Sequence, residues 1–281
     1  MDFANFPFAF FSAAIYVVLF CVILLGAKWA KDVFTPYSLN KELAEQNNVS
    51  ISLTMAGYYI GVALIFVSQL SGPSVGLKTD LLVVSGYSVL GILFLNLSRW
   101  INDKAILRTF CNIEKLTVQK NNGVGIIQFS IYVATGMIAS GALSGSGSVL
   151  SFFVFFVLGQ LALIVFSRFY NTLSTYDLYQ ELENDNFAAA ISFAGALIGL
   201  GIIVKNSASG DFIAWKEDIL WFATTAVASF IFLPALLRLT DRLVIPGKSL
   251  AVEIAQNRNI AAGLLSASLL VSFSFVLVKL F

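Results

Sequence analysis

The residues best placed to do chemistry in this chain form a recurring acid-asparagine pair: Glu42 with Asn48, Glu114 with Asn121, Glu181 with Asn186, and Glu253 with Asn259. Two roles suit such a pair. Four carboxylates gathered at one mouth would favour cations, whereas four asparagines at helix starts would cap unpaired backbone donors. Capping is the plainer expectation, because charges at a membrane boundary are most often simply solvated. Other chemistries lack their residues. The chain contains no histidine, which removes the usual general base, metal ligand and proton relay near neutral pH. Cys21 lies in an apolar run and Cys111 in a polar connection, so neither a disulfide framework nor a metal-ligand spacing arises. No nucleophile-base pair or cofactor cradle is visible. The expectation is therefore a protein that is not an enzyme, with no cofactor, no metal and no catalytic residue.

Each asparagine is followed nine and thirteen positions later by small residues: Gly57 and Gly61, Ser130 and Ala134, Gly195 and Gly199, Ser268 and Ser272. Small residues four apart share one helix face and let a second helix approach closely, which is how helices associate where lipid supplies no hydrophobic drive. The spacing from Asn48 to Asn186 is 138 residues, and so is that from Asn121 to Asn259. The chain thus reads as two similar halves, each made of two units.

The elements that must carry this pattern are membrane spans. Of 281 residues, 58% are hydrophobic and 12% charged, about half the charge of a soluble domain. A soluble enzyme, a secreted disulfide scaffold and a nucleic-acid binder are excluded on that ground. A formal charge of +1 offers no field for polyanions. Eight apolar runs are long enough to span a bilayer: residues 8–30, 48–70, 80–100, 123–141, 148–170, 187–205, 218–239 and 259–280. The expected fold is all-α, a polytopic integral membrane protein of eight transmembrane helices. Its two similar four-helix halves, residues 1–141 and 148–281, are built from four parallel two-helix repeats. The even spans carry most of the hydroxyl and amide groups, among them Thr54, Gln128, Ser192 and Ser266, and are expected inside, with the phenylalanine-rich odd spans toward lipid. Gln128 and Gln160 are expected to hydrogen-bond between helices. Of 17 basic residues, 13 fall in or beside the connections after the odd spans, so the positive-inside rule puts those connections in the cytoplasm and both termini outside. The same connections are expected to be partly helical, as at Tyr37-Ser38-Leu39-Asn40-Lys41-Glu42-Leu43.

The acid-leucine stretch, the asparagine at the membrane entry and the small-residue pair, as in Glu181-Leu182 to Asn186-Phe187-Ala188-Ala189-Ala190 with Gly195 and Gly199, resemble the YjfL-like family of bacterial inner-membrane proteins, domain of unknown function 350. The likeness spans nearly the whole chain as two tandem four-helix copies. The resemblance implies a bacterial inner-membrane location and transfers no catalytic residues. Genes for such proteins often neighbour those of phage-shock-type membrane-stress proteins and of glutathionylspermidine synthase, which points to envelope or polyamine physiology. The functional expectation is a channel or passive transporter for small cations, potassium or polyamine, along an axis lined by the even helices. The alternative is a non-conducting scaffold or envelope-stress protein that recruits a cytoplasmic partner. The expected partners are the lipid bilayer, further copies of the chain as a homo-oligomer and a cytoplasmic membrane-stress protein, with no nucleic acid.

Overall fold

The computed structural model describes residues 6–72, 74–144, 148–244 and 247–280. The opening residues 1–5, Pro73 and most of the Ser144–Ser148 loop lie outside the described residues. Eight helices are long and apolar enough to cross a membrane. They are α1 (Phe6–Val33), α2 (Val49–Leu70), α3 (Leu77–Ala105), α5 (Asn122–Ala142), α6 (Val149–Leu173), α8 (Phe187–Ser207), α9 (Trp215–Val244) and α11 (Ile260–Leu280). Between paired spans lie shorter pieces: a π-helical turn at Lys41–Glu45, α4 (Asn112–Thr117), α7 (Leu178–Glu183) and α10 (Leu250–Ala255). Each apolar run of the sequence is a helix. The connections after the odd spans are partly helical, though each helical piece is five or six residues long.

The even spans α2, α5, α8 and α11 form a row in which each packs extensively on the next, while α2 and α11 share no substantial contact. The odd spans α1, α3, α6 and α9 form a second row, each touching its neighbour and the even helices beside it. The four units therefore follow one another as in a repeat array and do not close around a central axis. The core lies where the rows meet: α5 and α8 are almost wholly buried, while α1 presents most of its surface outward, Phe10 and Phe11 included.

Small residues set the closeness of the even row. A Cβ on Gly57 would fall against the Phe129 backbone, one on Gly195 against Ala267, and one on Gly136 against Gly61. Ala134 meets Gly201 in the same way between α5 and α8. Glycine is required at these points because helix backbone lies where a side chain would begin. Without apolar burial to drive helices together in lipid, this contact is the main source of cohesion.

Candidate functional site

Asn48 and Asn186 each do three things at once, and Asn121 and Asn259 each do two of them. In α2 the Asn48 Oδ1 accepts the Ile51 N–H at 3.2 Å, closing the helix start. Its Nδ2 donates to Glu42 Oε2 within its own unit at 2.8 Å and to the Leu116 carbonyl of the next unit at 2.8 Å. Asn186 repeats the pattern, capping Ala189 N–H and donating to Glu181 Oε2 at 2.7 Å and to the Ile254 carbonyl at 3.0 Å. Asn121 caps Val124 N–H and donates to the Leu182 carbonyl at 3.0 Å. Asn259 caps Ala262 N–H and bonds to Glu253 Oε2 at 3.1 Å, and among the described residues it donates to no carbonyl of another unit. The asparagines are thus spread along the row as links from one unit to the next, and the carboxylates of Glu42, Glu181 and Glu253 are each held by their own asparagine.

The backbone repeats as faithfully as the side chains. The residue before each asparagine, namely Asn47, Lys120, Asp185 and Arg258, has φ between 47° and 54°. This left-handed turn swings the chain from short helix to span, and each asparagine N–H bonds back to a carbonyl of the short helix: Glu42, Lys115, Glu181 and Glu253. In the second unit the structural counterpart of the acid is therefore Lys115, not Glu114. Glu114 lies one residue earlier, where Gln119 Nε2 reaches it at 3.4 Å. Lys115 Nζ instead donates to the Glu183 carbonyl of the third unit, so a cation stands where the other units place an anion. Glu253 is drawn down to a pKa of about 2 by Lys248, 2.8 Å away, and by amide donors including Asn259.

A second set of links runs the opposite way along the odd row, and sequence reasoning did not single it out. Arg99 of α3 donates to the Phe34 carbonyl just beyond α1 at 3.4 Å. Arg168 of α6 donates to the Ala105 carbonyl ending α3 at 2.8 Å, and Arg238 of α9 to the Leu173 carbonyl ending α6 at 2.8 Å. Each arginine thus satisfies an unpaired carbonyl at the negative end of the preceding helix. The signal available was the spacing of 69 and 70 residues between these arginines.

The first module also holds a buried charged cluster. Lys31 of α1 is fully buried and donates to the Tyr132 hydroxyl of α5. Beside it Arg99 Nε lies 3.3 Å from Asp103 Oδ2. Asp103 Oδ1 accepts from Gln128 Nε2 at 3.0 Å, and Gln128 Oε1 accepts from Thr54 at 3.4 Å. Asn96 bridges to Tyr58, whose hydroxyl donates to the Ala27 carbonyl. Nearby Tyr37, in the connection after α1, keeps its hydroxyl buried without a partner, and burial raises its pKa above the usual phenol value. Lys31 and Asp103 lie near the ends of their spans, so in sequence they read as flanking charges. In the second module Tyr170, at the place of Lys31, hydrogen-bonds Ser192, which hydrogen-bonds Ser266. Gln160 links the modules, accepting from Asn102 at 2.9 Å and donating to Thr135 at 3.4 Å.

A cavity of about 930 Å³ adjoins the cluster, lined by Asn96, Arg99, Asp103 and Asn112 together with Leu97 and Trp100. The Oδ1 atoms of Asn96 and Asn112 are buried and have no hydrogen-bond partner. A second cavity of about 970 Å³ opens at the other end of α3, lined by Tyr16, Asp80 and Tyr87 among others. On α3 between the residues that line the two cavities, Ile92 is buried and Gly91 packs against Ile65 of α2. Among the described residues no group of three or more His, Cys, Asp or Glu could hold a metal ion.

Comparison with known proteins agrees with a membrane protein built from two similar modules. A UPF0719 transmembrane protein of Aquifex aeolicus is 25% identical over 271 residues, covering 92% of this chain and 94% of the relative. The UPF0719 inner membrane protein YjfL of Escherichia coli is 27% identical over 117 residues, which is 42% of this chain and 82% of that protein. No solved structure matches. The family model described as Domain of Unknown Function (DUF350) matches residues 4–143 and again 145–281, so the chain belongs to the DUF350 family as two tandem copies of its membrane module.

Proposed function

We propose that the protein is a non-conducting scaffold of the inner membrane that holds four short helices in line at the cytoplasmic face for a partner to bind. The observation that carries this reading is the backbone-tight contact along α2, α5, α8 and α11, which leaves no room between the polar helices for a hydrated ion. The carboxylates that a cation mouth would use are engaged by asparagines within separate units. The short helices turn some apolar groups outward, with Ile113, Val118 and Val252 exposed, as suits contact with headgroups or a protein. The cytoplasmic assignment follows from the basic residues beside these connections.

The test is flux of potassium, sodium, chloride and spermidine from proteoliposomes, with valinomycin as the control that the vesicles hold a potassium gradient. The scaffold reading expects release no faster than from empty vesicles. Cation release that the Glu42→Gln, Glu181→Gln, Glu253→Gln triple variant weakens would overturn it. One observation favours a second reading, a passive transporter working through the first module: the two cavities lie toward opposite ends of α3. Release that survives the triple variant but falls with Asp103→Asn would select that path.

A further inference from the structure

Every internal junction of the array uses the same complementary pair of faces. On the leading face, the residue nine positions after the asparagine meets the next helix at its position eight, as Gly57 meets Phe129 and Gly195 meets Ala267. The residue at thirteen meets position fifteen of the next helix, as Gly61 meets Gly136, Ala134 meets Gly201 and Gly199 meets Ser274. The two ends of the row carry these faces unpaired. At the leading end, Ser268 and Ser272 of α11 point outward, although their counterparts in the other units are buried. At the trailing end, Ser52 and Ala56 of α2 are exposed and Ala63 is half-buried, where the counterparts Gly125 and Gly136 of α5 lie against a neighbouring backbone. Lipid gives no reason to expose small and hydroxylated residues in these registers, whereas a continuing seam does.

The side-chain links end in the same complementary way. Asn48, Asn121 and Asn186 each donate to a carbonyl of the following short helix, at Leu116, Leu182 and Ile254. Among the described residues Asn259 has no such acceptor. In the first unit Leu43 occupies the position that Leu116 and Ile254 occupy in theirs, five residues before the asparagine, and among the described residues no asparagine side chain donates to its carbonyl.

We infer that the open end at α11 docks on the open end at α2 of a second copy of this chain, continuing the repeat seam between molecules. Ser268 then meets Ala56 of the second copy, Ser272 meets Ala63, and Asn259 reaches the Leu43 carbonyl. The contact is head-to-tail, so it joins unlike faces and either closes a ring or extends a line. It does not depend on whether the protein conducts.

The experiment places one cysteine on each face of the full-length chain, in a background where Cys21 and Cys111 are replaced by serine. Ala56→Cys and Ser268→Cys forms, differently tagged, are co-expressed and oxidised in native membranes. The expected result is a dimer-sized adduct containing both tags, with little product when either form is expressed alone. Absence of the mixed adduct overturns the inference, and so does an α11-to-α11 adduct from Ser268→Cys alone at equal yield. A second variant adds Ser272→Leu to the Ser268→Cys form and so fills only the outward face of α11 beside the cysteine. It should lower the mixed adduct at least tenfold while leaving the unfolding temperature of the monomer unchanged. An undiminished adduct in that variant also overturns the inference.

Discussion

Replacing Asn186 by alanine tests whether the asparagines bind units together or merely end helices. The variant loses the cap on Ala189 N–H, about 1 kcal/mol for an N-cap side chain. It also loses the bond to the Ile254 carbonyl, about 1 kcal/mol for a buried hydrogen bond, and leaves that carbonyl without its donor at a further cost of roughly 1 kcal/mol. The sum is about 3 kcal/mol by those magnitudes. Asn259→Ala loses a comparable cap but no link to a following unit, so it should cost only about 1 kcal/mol. The comparison is made by equilibrium unfolding in a detergent that keeps the chain monomeric, since a neighbouring copy would give Asn259 a partner. Asn186→Asp refines it, because a carboxylate still caps but cannot donate to the carbonyl and faces Glu181 with like charge. It should fall nearer to Asn186→Ala than to wild type. Equal costs for Asn186→Ala and Asn259→Ala would refute the linking role.

Three further outcomes are expected. Gly195→Ala sets a methyl against Ala267 and should destabilise by about 1–3 kcal/mol through overpacking. Gly26→Ala, where nothing lies within 4 Å, should gain up to about 1 kcal/mol of helix propensity; thermal unfolding of the two variants gives opposite signs. In the charged cluster, Asp103→Ala strands Arg99 and Lys31 and should cost about 3–5 kcal/mol, whereas Lys31→Met, which removes a cation from a site with two cations and one carboxylate, should be neutral or stabilising. Both are read by denaturant midpoint. Because its folded pKa is lowered to about 2 from 4.5, Glu253 contributes stability that is complete above pH 4.5 and lost as the pH falls toward 2. The unfolding-temperature difference between wild type and Glu253→Gln should therefore hold from pH 6.5 to about 5 and shrink from there to pH 2.5.

The spans were legible because hydropathy varies on the scale of a bilayer, and the units because identical offsets separate Asn48, Asn121, Asn186 and Asn259. What the spacing could not carry was direction. An asparagine at a helix start reads as a cap, and only the fold shows that its second amide hydrogen reaches a carbonyl 68 residues downstream, as from Asn48 to Leu116. A fourfold repeat of equal units is compatible with a closed ring or an open row, and hydropathy is the same for both. Glu114 illustrates a register error: an acid stood near the expected place, but the backbone bond from Asn121 goes to Lys115. The cluster of Lys31, Arg99 and Asp103 was hidden for another reason. Charges near the end of an apolar run look solvated in sequence, and their burial results from helices that extend to Val33 and Ala105.

The forward reach of the asparagines has a consequence for synthesis. Asn48 waits for Leu116, 68 residues later, and Asn186 for Ile254 at the same separation. At a ribosomal rate of roughly 5–20 residues per second, that delay is about 3–14 s. During it the newly inserted hairpin carries an amide hydrogen with no mate and a glycine face open to lipid, and its commitment comes only when the next hairpin arrives. Assembly thus proceeds as a ratchet from the amino-terminal end, each arrival locking its predecessor, and a ribosome stalled between hairpins leaves its most recent unit as the one exposed to membrane proteases.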